Sequence, residues 1–190
     1  MKTLTTAVLT LFALSVAASP VLAATLPAGG GGGKNIVIVM NRGDGKFVVR
    51  ANIQVNREPG PNVQPANVAI ATSSCTDCQT LAVALQLNVA SASAAIVAPQ
   101  NAAVATNAGC LRCYTVARAV QYLFTVPDPV AGPPPAADAD LRALDRTLRD
   151  IAGDPTLTLD DAEARINGVI ARFQSIASTY VNTRDAVKSP

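Results

Sequence analysis

Histidine is absent from the chain. That removes imidazole acid–base chemistry, Ser-His-Asp and Cys-His arrangements, and every metal site that needs a ring nitrogen. There is no H-E-x-x-H and no C-x-x-C-H for haem attachment. Tryptophan is absent too, and aromatics make up 4% of the residues. Apolar residues reach 49%, many of them Ala, so a core has small side chains and depends on close backbone packing. Charge is scarce, with a formal net of +2. That is too little for an electrostatic grip on nucleic acid, and no nucleic-acid partner is expected. It is unevenly placed: Lys34 to Val126 holds seven basic and three acidic residues, Pro127 to Pro190 seven basic and ten acidic. Opposite signs would help the two parts dock, weakly and subject to salt screening.

What is present is a stretch that occurs twice. Asn67-Val68-Ala69-Ile70-Ala71-Thr72 runs into Cys75-Thr76-Asp77-Cys78 and then Thr80 to Gln86. Asn101-Ala102-Ala103-Val104-Ala105-Thr106 runs into Cys110-Leu111-Arg112-Cys113 and then Thr115 to Gln121. Both read N-x-A-[IV]-A-T, C-x-x-C, T-[LV]-A-x-A-[LV]-Q, which is an internal duplication.

Met1-Lys2, the apolar run Leu4 to Ala18 and the small residues around Ala23 read as a secretory signal peptide over 1–23, cleaved after Ala23 or Ala24. The run is short for a bilayer, so no stable membrane span is expected after cleavage. This signal implies a secreted or cell-surface protein with its four Cys in an oxidising compartment. A Gly-rich linker covers 24–33.

The span 34–126 reads as a β-rich domain. Ile36 to Met40 is a β-branched run, and Phe47, Val49, Ala51, Ile53 and Val55 alternate with polar residues. Asn41-Arg42-Gly43-Asp44-Gly45 between them is turn chemistry that uses glycine's positive φ; its Arg-Gly-Asp tripeptide, which integrins bind, is read first as that turn. Each duplicated unit repeats its shared residues with period two, so each is expected to be a hairpin with C-x-x-C at its tip. A Pro-rich linker over 127–137 marks a boundary. Helical spacing follows over 138–184, with Asp138 as a cap, Leu141, Leu144, Leu148 and Ile151 on one helix, and Thr158 with Asp161 as a capping box before Leu159, Ala162, Ile166, Val169, Phe173, Ile176 and Tyr180. Residues 185–190 are a tail. The expectation is an α+β protein: an antiparallel sheet of about six strands from three hairpins, then an antiparallel helical hairpin. The helical seam either associates with another protein or copy, or packs on the sheet.

Three arrangements compete for the cysteines. Local closure gives Cys75–Cys78 and Cys110–Cys113, because residues i and i+3 of a turn lie within disulfide reach. A zinc ribbon would use Cys75, Cys78, Cys110 and Cys113 together, with zinc as the cofactor. A third arrangement pairs cysteines across the copies. Export favours disulfides over zinc, and glycine is missing after each second Cys, where zinc knuckles carry it. No helix clearly starts at either motif to activate a thiolate, so a structural role is preferred to a redox one.

The Asn41-Arg42-Gly43-Asp44-Gly45-Lys46-Phe47 turn, the two Cys units and the charged helical end together resemble a group of exported bacterial proteins of unassigned function. Some of their segments carry the label peptide zinc metalloprotease. The resemblance covers Lys34 to Val181 and implies no catalytic residue, ligand or cofactor; without His this chain has no zinc-protease site. The N-x-A…Q spacing is also similar to curli-type amyloid repeats, with a longer period and added Cys pairs. The resulting expectation is an exported non-enzymatic structural or interaction module, with a four-cysteine zinc-binding or thiol-redox protein as the alternative.

Overall fold

The computed structural model describes residues 31–130 and 135–186, with side chains as far as 179. The signal peptide, most of the Gly-rich linker, part of the Pro-rich boundary, the Tyr180 side chain and the last four residues of the tail lie outside the described residues.

Among the described residues, eight strands precede two helices. The strands are β1 (Lys34–Asn41), β2 (Phe47–Glu58), β3 (Asn62–Val63), β4 (Ala66–Ser73), β5 (Gln79–Ser91), β6 (Ile96–Val97), β7 (Gln100–Asn107) and β8 (Tyr114–Val126). The helices are α1 (Pro135–Gly153) and α2 (Leu159–Ala186). β1, β4 and β7 form one sheet, β2, β5 and β8 a second, and β3 pairs with β6. Every pairing is parallel.

This corrects the expected antiparallel sheet of three hairpins. The strands flanking each turn do not hydrogen-bond to one another. They face each other across a core, and each pairs with its equivalent in the next repeat. Ala66 sits opposite Gln100, Gln79 opposite Tyr114. The chain is a three-coil β-solenoid. Period-two alternation holds for parallel and antiparallel strands alike, so it cannot tell the two apart.

The first coil is a diverged third copy. Asn35 aligns with Asn67 and Asn101, and Gln54 with Gln86 and Gln121. Between the two main sheets lie Val37, Val39, Ala69, Ala71, Ala82 and Ala84. Their small side chains let the sheets approach closely.

The other face of the second sheet carries Val49, Leu81, Val83, Leu85 and Leu87. These meet Leu141, Leu144, Leu148, Ile151, Ile166 and Phe173 from the helices. β5 is therefore buried on both faces, which is why it reads Leu-Ala-Val-Ala-Leu with no polar alternation until Gln86. α1 lies along β2, and α2 reaches β5 and β8. The helical seam is thus spent within the molecule, on the sheet and between the helices. Thr158 caps α2: its Oγ1 accepts the Asp161 N–H at 3.2 Å and donates to Asp161 Oδ2 at 2.6 Å. α1 begins at Pro135, so Asp138 lies inside its first turn and favours the dipole there rather than capping it. No described helix is long and apolar enough to cross a membrane.

Candidate functional site: the stacked cysteine turns

Three turns link the first sheet to the second, one per coil, and they stack. Gly45 N–H donates to the Thr76 carbonyl at 2.9 Å, and Asp77 N–H to the Leu111 carbonyl at 2.8 Å. Gly45, Asp77 and Arg112 occupy the same place in successive turns, with φ of 67°, 55° and 54°. The left-handed position expected of a turn glycine is therefore taken by Gly45; Gly43 of the Arg-Gly-Asp tripeptide is not in that region. The Asp44 carboxylate accepts the Thr76 N–H at 2.7 Å, which ties the first turn to the second.

The second and third turns carry the cysteines. Cys75 and Cys78 lie at disulfide bonding distance with Cα atoms 6.0 Å apart; Cys110 and Cys113 do so with Cα atoms 5.9 Å apart. Both separations suit a disulfide. Stacking brings the two pairs into contact. Cys78 Sγ is 3.2 Å from Cys113 Sγ and 4.0 Å from Cys110 Sγ, and all four sulfurs lie within 4.8 Å of one another. A tetrahedral zinc with Zn–S bonds near 2.3 Å has sulfur–sulfur edges of about 3.8 Å. The four thiols, if reduced, are therefore close to a zinc-holding set. Cys75 and Cys78 are buried, whereas Cys110 and Cys113 are partly exposed.

Neither motif sits at a helix N-terminus; both lie between strands. The usual device for lowering a thiol pKa is missing there. The charged groups nearby pair with each other. Arg112 donates from Nε to Asp77 Oδ1 at 2.5 Å and from Nη2 to Asp77 Oδ2 at 2.6 Å, a two-point contact between the second and third turns. This holds the Asp77 carboxyl below its ordinary range and raises the Arg112 guanidinium.

Inside the solenoid run side-chain ladders that the duplication signalled but did not place. Asn35 Nδ2 donates to Asn67 Oδ1 at 2.9 Å, and Asn67 Nδ2 to Asn101 Oδ1 at 2.9 Å. Asn67 Nδ2 also reaches the carbonyls of Ala84 and Val120. Gln121 Nε2 donates to Gln86 Oε1 at 2.7 Å, and Gln86 Nε2 to the Gly33 carbonyl at 3.0 Å. Each amide thus pairs with its equivalent one coil away and with backbone groups across the core. In the first coil Asn35 carries this pattern, whereas Gln54 stands in register with Gln86 but donates to Asn56 Oδ1 at 2.8 Å. The signal for them was the Asn–Gln spacing, which persists there although the Ala and Cys residues do not.

The two ends of the solenoid differ. Every residue of β7 is exposed, and β7 and β8 are the last strands of their sheets. At the other end Arg50 and Asn52 stand where the second and third coils have Ala82, Ala84, Ala117 and Ala119. Asn52 Nδ2 donates to Asn35 Oδ1 at 2.7 Å and so closes the Asn ladder.

No protein-family model, no curated protein and no solved structure matches the chain. The likeness to the exported bacterial group rests on the sequence pattern alone.

Proposed function

We propose that this chain is an exported, non-enzymatic structural and interaction module. The observation that carries the reading is the asymmetric solenoid: ladders fill it, disulfide-distance pairs and two helices brace it, and among the described residues no strand pairs beyond its third coil. Open edges are strand-pairing surfaces. Arg112 with Asp77, Arg118 with Glu163 and Arg172 with Asp140 form ion pairs that tie one element to the next. The cysteine turns serve as staples, with bridges Cys75–Cys78 and Cys110–Cys113 setting the turn on which the next turn stacks. Export fits the N-terminal sequence and an oxidising compartment for the cysteines.

A second reading, a four-cysteine zinc-binding or thiol-redox protein, is favoured by one observation: the four sulfurs lie within 4.8 Å of one another. Intact mass spectrometry of the chain after export separates the two. Two disulfides lower the mass by four hydrogens, and denaturation in alkylating agent then labels no cysteine. One zinc retained in native spectra, with four alkylated cysteines after denaturation, would overturn the scaffold reading. So would recovery of the protein in the cytoplasm with residues 1–23 uncleaved.

A further inference from the structure

We propose that the third coil is a self-docking surface, and that two copies close into a dimer by bringing these edges together. The inference rests on the scaffold reading above and names its partner: a second copy of this chain.

The contact between the second and third coils shows what such an edge accepts. There β4 meets β7 and β5 meets β8 in continuous parallel register, with Asn67 on Asn101, Ala82 on Ala117, Ala84 on Ala119 and Gln86 on Gln121. The third coil keeps this set intact. Its inward positions are Asn101, Ala103, Ala105 and Asn107 on β7, then Thr115, Ala117, Ala119 and Gln121 on β8. Among the described residues, no strand pairs beyond β7 or beyond residues 115–121 of β8. A coil of the same kind would continue the interface already present within the chain.

The first coil cannot supply that partner. Arg50 faces the same interior as Ala82 and Ala117 and is exposed at the edge. Stacking a second copy there would press a guanidinium against an Ala-lined core, and inward-pointing charge is a known device for blocking strand edges. Asn52 already occupies Asn35 Oδ1. Ala152, at the end of α1, borders the same edge, in a shallow groove shared with Ile36, Val37, Ile38 and Arg50. One end is closed and the other open, so head-to-tail growth is blocked and the open ends meet.

Two identical edges related by a two-fold axis pair antiparallel. The inward residues suit this. Asn101, Ala103, Ala105 and Asn107 read the same in both directions about Val104. Thr115, Ala117, Ala119 and Gln121 place two Ala between two polar groups in the same way. Whether β7 meets β7 or β8 of the other copy, Ala faces Ala and hydrogen-bonding side chains face one another. Val104 is 40% exposed on the outer face of the same strand.

The test is sedimentation equilibrium of the full exported chain, disulfides intact, over a broad concentration series. The wild type is expected to reach the mass of two copies and stop. Ala117→Arg, which gives the third coil the residue that closes the first, is expected to be monomeric with an unchanged circular dichroism spectrum. Ala105→Lys on β7 is expected to do the same and serves if the first variant does not fold. Arg50→Ala is expected to open the first coil and produce species larger than a dimer. A monomeric wild type, open-ended wild-type oligomers, or a dimer that survives both edge charges in a folded protein would each overturn the proposal. A monomer with two disulfides would leave the scaffold reading standing, whereas zinc with free thiols would remove that reading whatever the mass.

Discussion

Asn35 and Asn67 stand one coil apart and are joined by a side-chain hydrogen bond of 2.9 Å, with both residues buried. Asn67 passes the same contact on to Asn101. The middle residue therefore has the most to lose.

Asn67→Ala should be the most damaging substitution in this ladder. It strands Asn35 Nδ2 with only the Leu85 carbonyl at 2.9 Å and removes the donor to Ala84. Buried polar groups left unmatched cost about 1–3 kcal/mol. Urea unfolding should show a loss of that size, and Asn101→Ala, at the exposed end, a smaller one. Equal losses would mean that the ladder does not depend on burial.

The cysteine turns give a second expectation. Replacing Cys75 and Cys78 together by Ser should leave a folded protein, destabilised by about 2–3 kcal/mol, as for a short loop. Cys75 and Cys78 are 7% and 0% exposed, so this double change should cost more than Cys110→Ser with Cys113→Ser. Thermal melts of the two double variants decide the order. Cys75→Ser alone should leave one free thiol, on Cys78, and non-reducing peptide mapping should find no peptide that joins the two turns.

The Asp77–Arg112 pair predicts a pH dependence at the turns. Pairing depresses the Asp77 pKa in the folded state, first through the Arg112 hydrogen bond and then through its charge. A depressed carboxyl pKa contributes stability above its unfolded value, and this is lost as the pH falls through the folded value. The contribution is therefore present at neutral pH and disappears in acid. Carbon-detected NMR titration should find Asp77 below the ordinary carboxylate range, and Arg112→Gln should return it there. An ordinary titration in the unaltered protein would show that this exposed pair does not persist in solution.

Phe173 is fully buried, and its ring lies 5.6 Å from that of Tyr122 on β8. It anchors α2 to the second sheet. Phe173→Ala should cost about 3–5 kcal/mol, the usual range for emptying an aromatic site in a core. Hydrogen exchange should then rise along α2 more than in the turns between the main sheets. Uniform loss of protection would mean that the helices and the solenoid unfold as one unit.

The sequence by itself determined the six long strands, the two helices and two of the three repeats; the short strands β3 and β6 and the diverged first copy emerged only in the structure. Alternation placed β2, β4, β5, β7 and β8, the three-four spacing placed α1 and α2, and Thr158 with Asp161 marked a helix start. The i,i+3 cysteines read as local pairs because that geometry lies within a single turn. Tertiary structure decided which strands pair. A turn of a few residues can fold a strand back beside itself, at about 4.8 Å, or carry it across a core to a facing sheet, at about 10 Å. The residues around Cys75 and Cys78 are compatible with either path. What tips the balance is collective: like residues stack on like through three coils, Asn on Asn and Gln on Gln, while Ala keeps the facing sheets close. The same arrangement gave Arg50 its meaning. In the sequence it is one polar residue in an alternating strand; in the solenoid it stands in register with Ala82 and Ala117, exposed at the edge of the first coil.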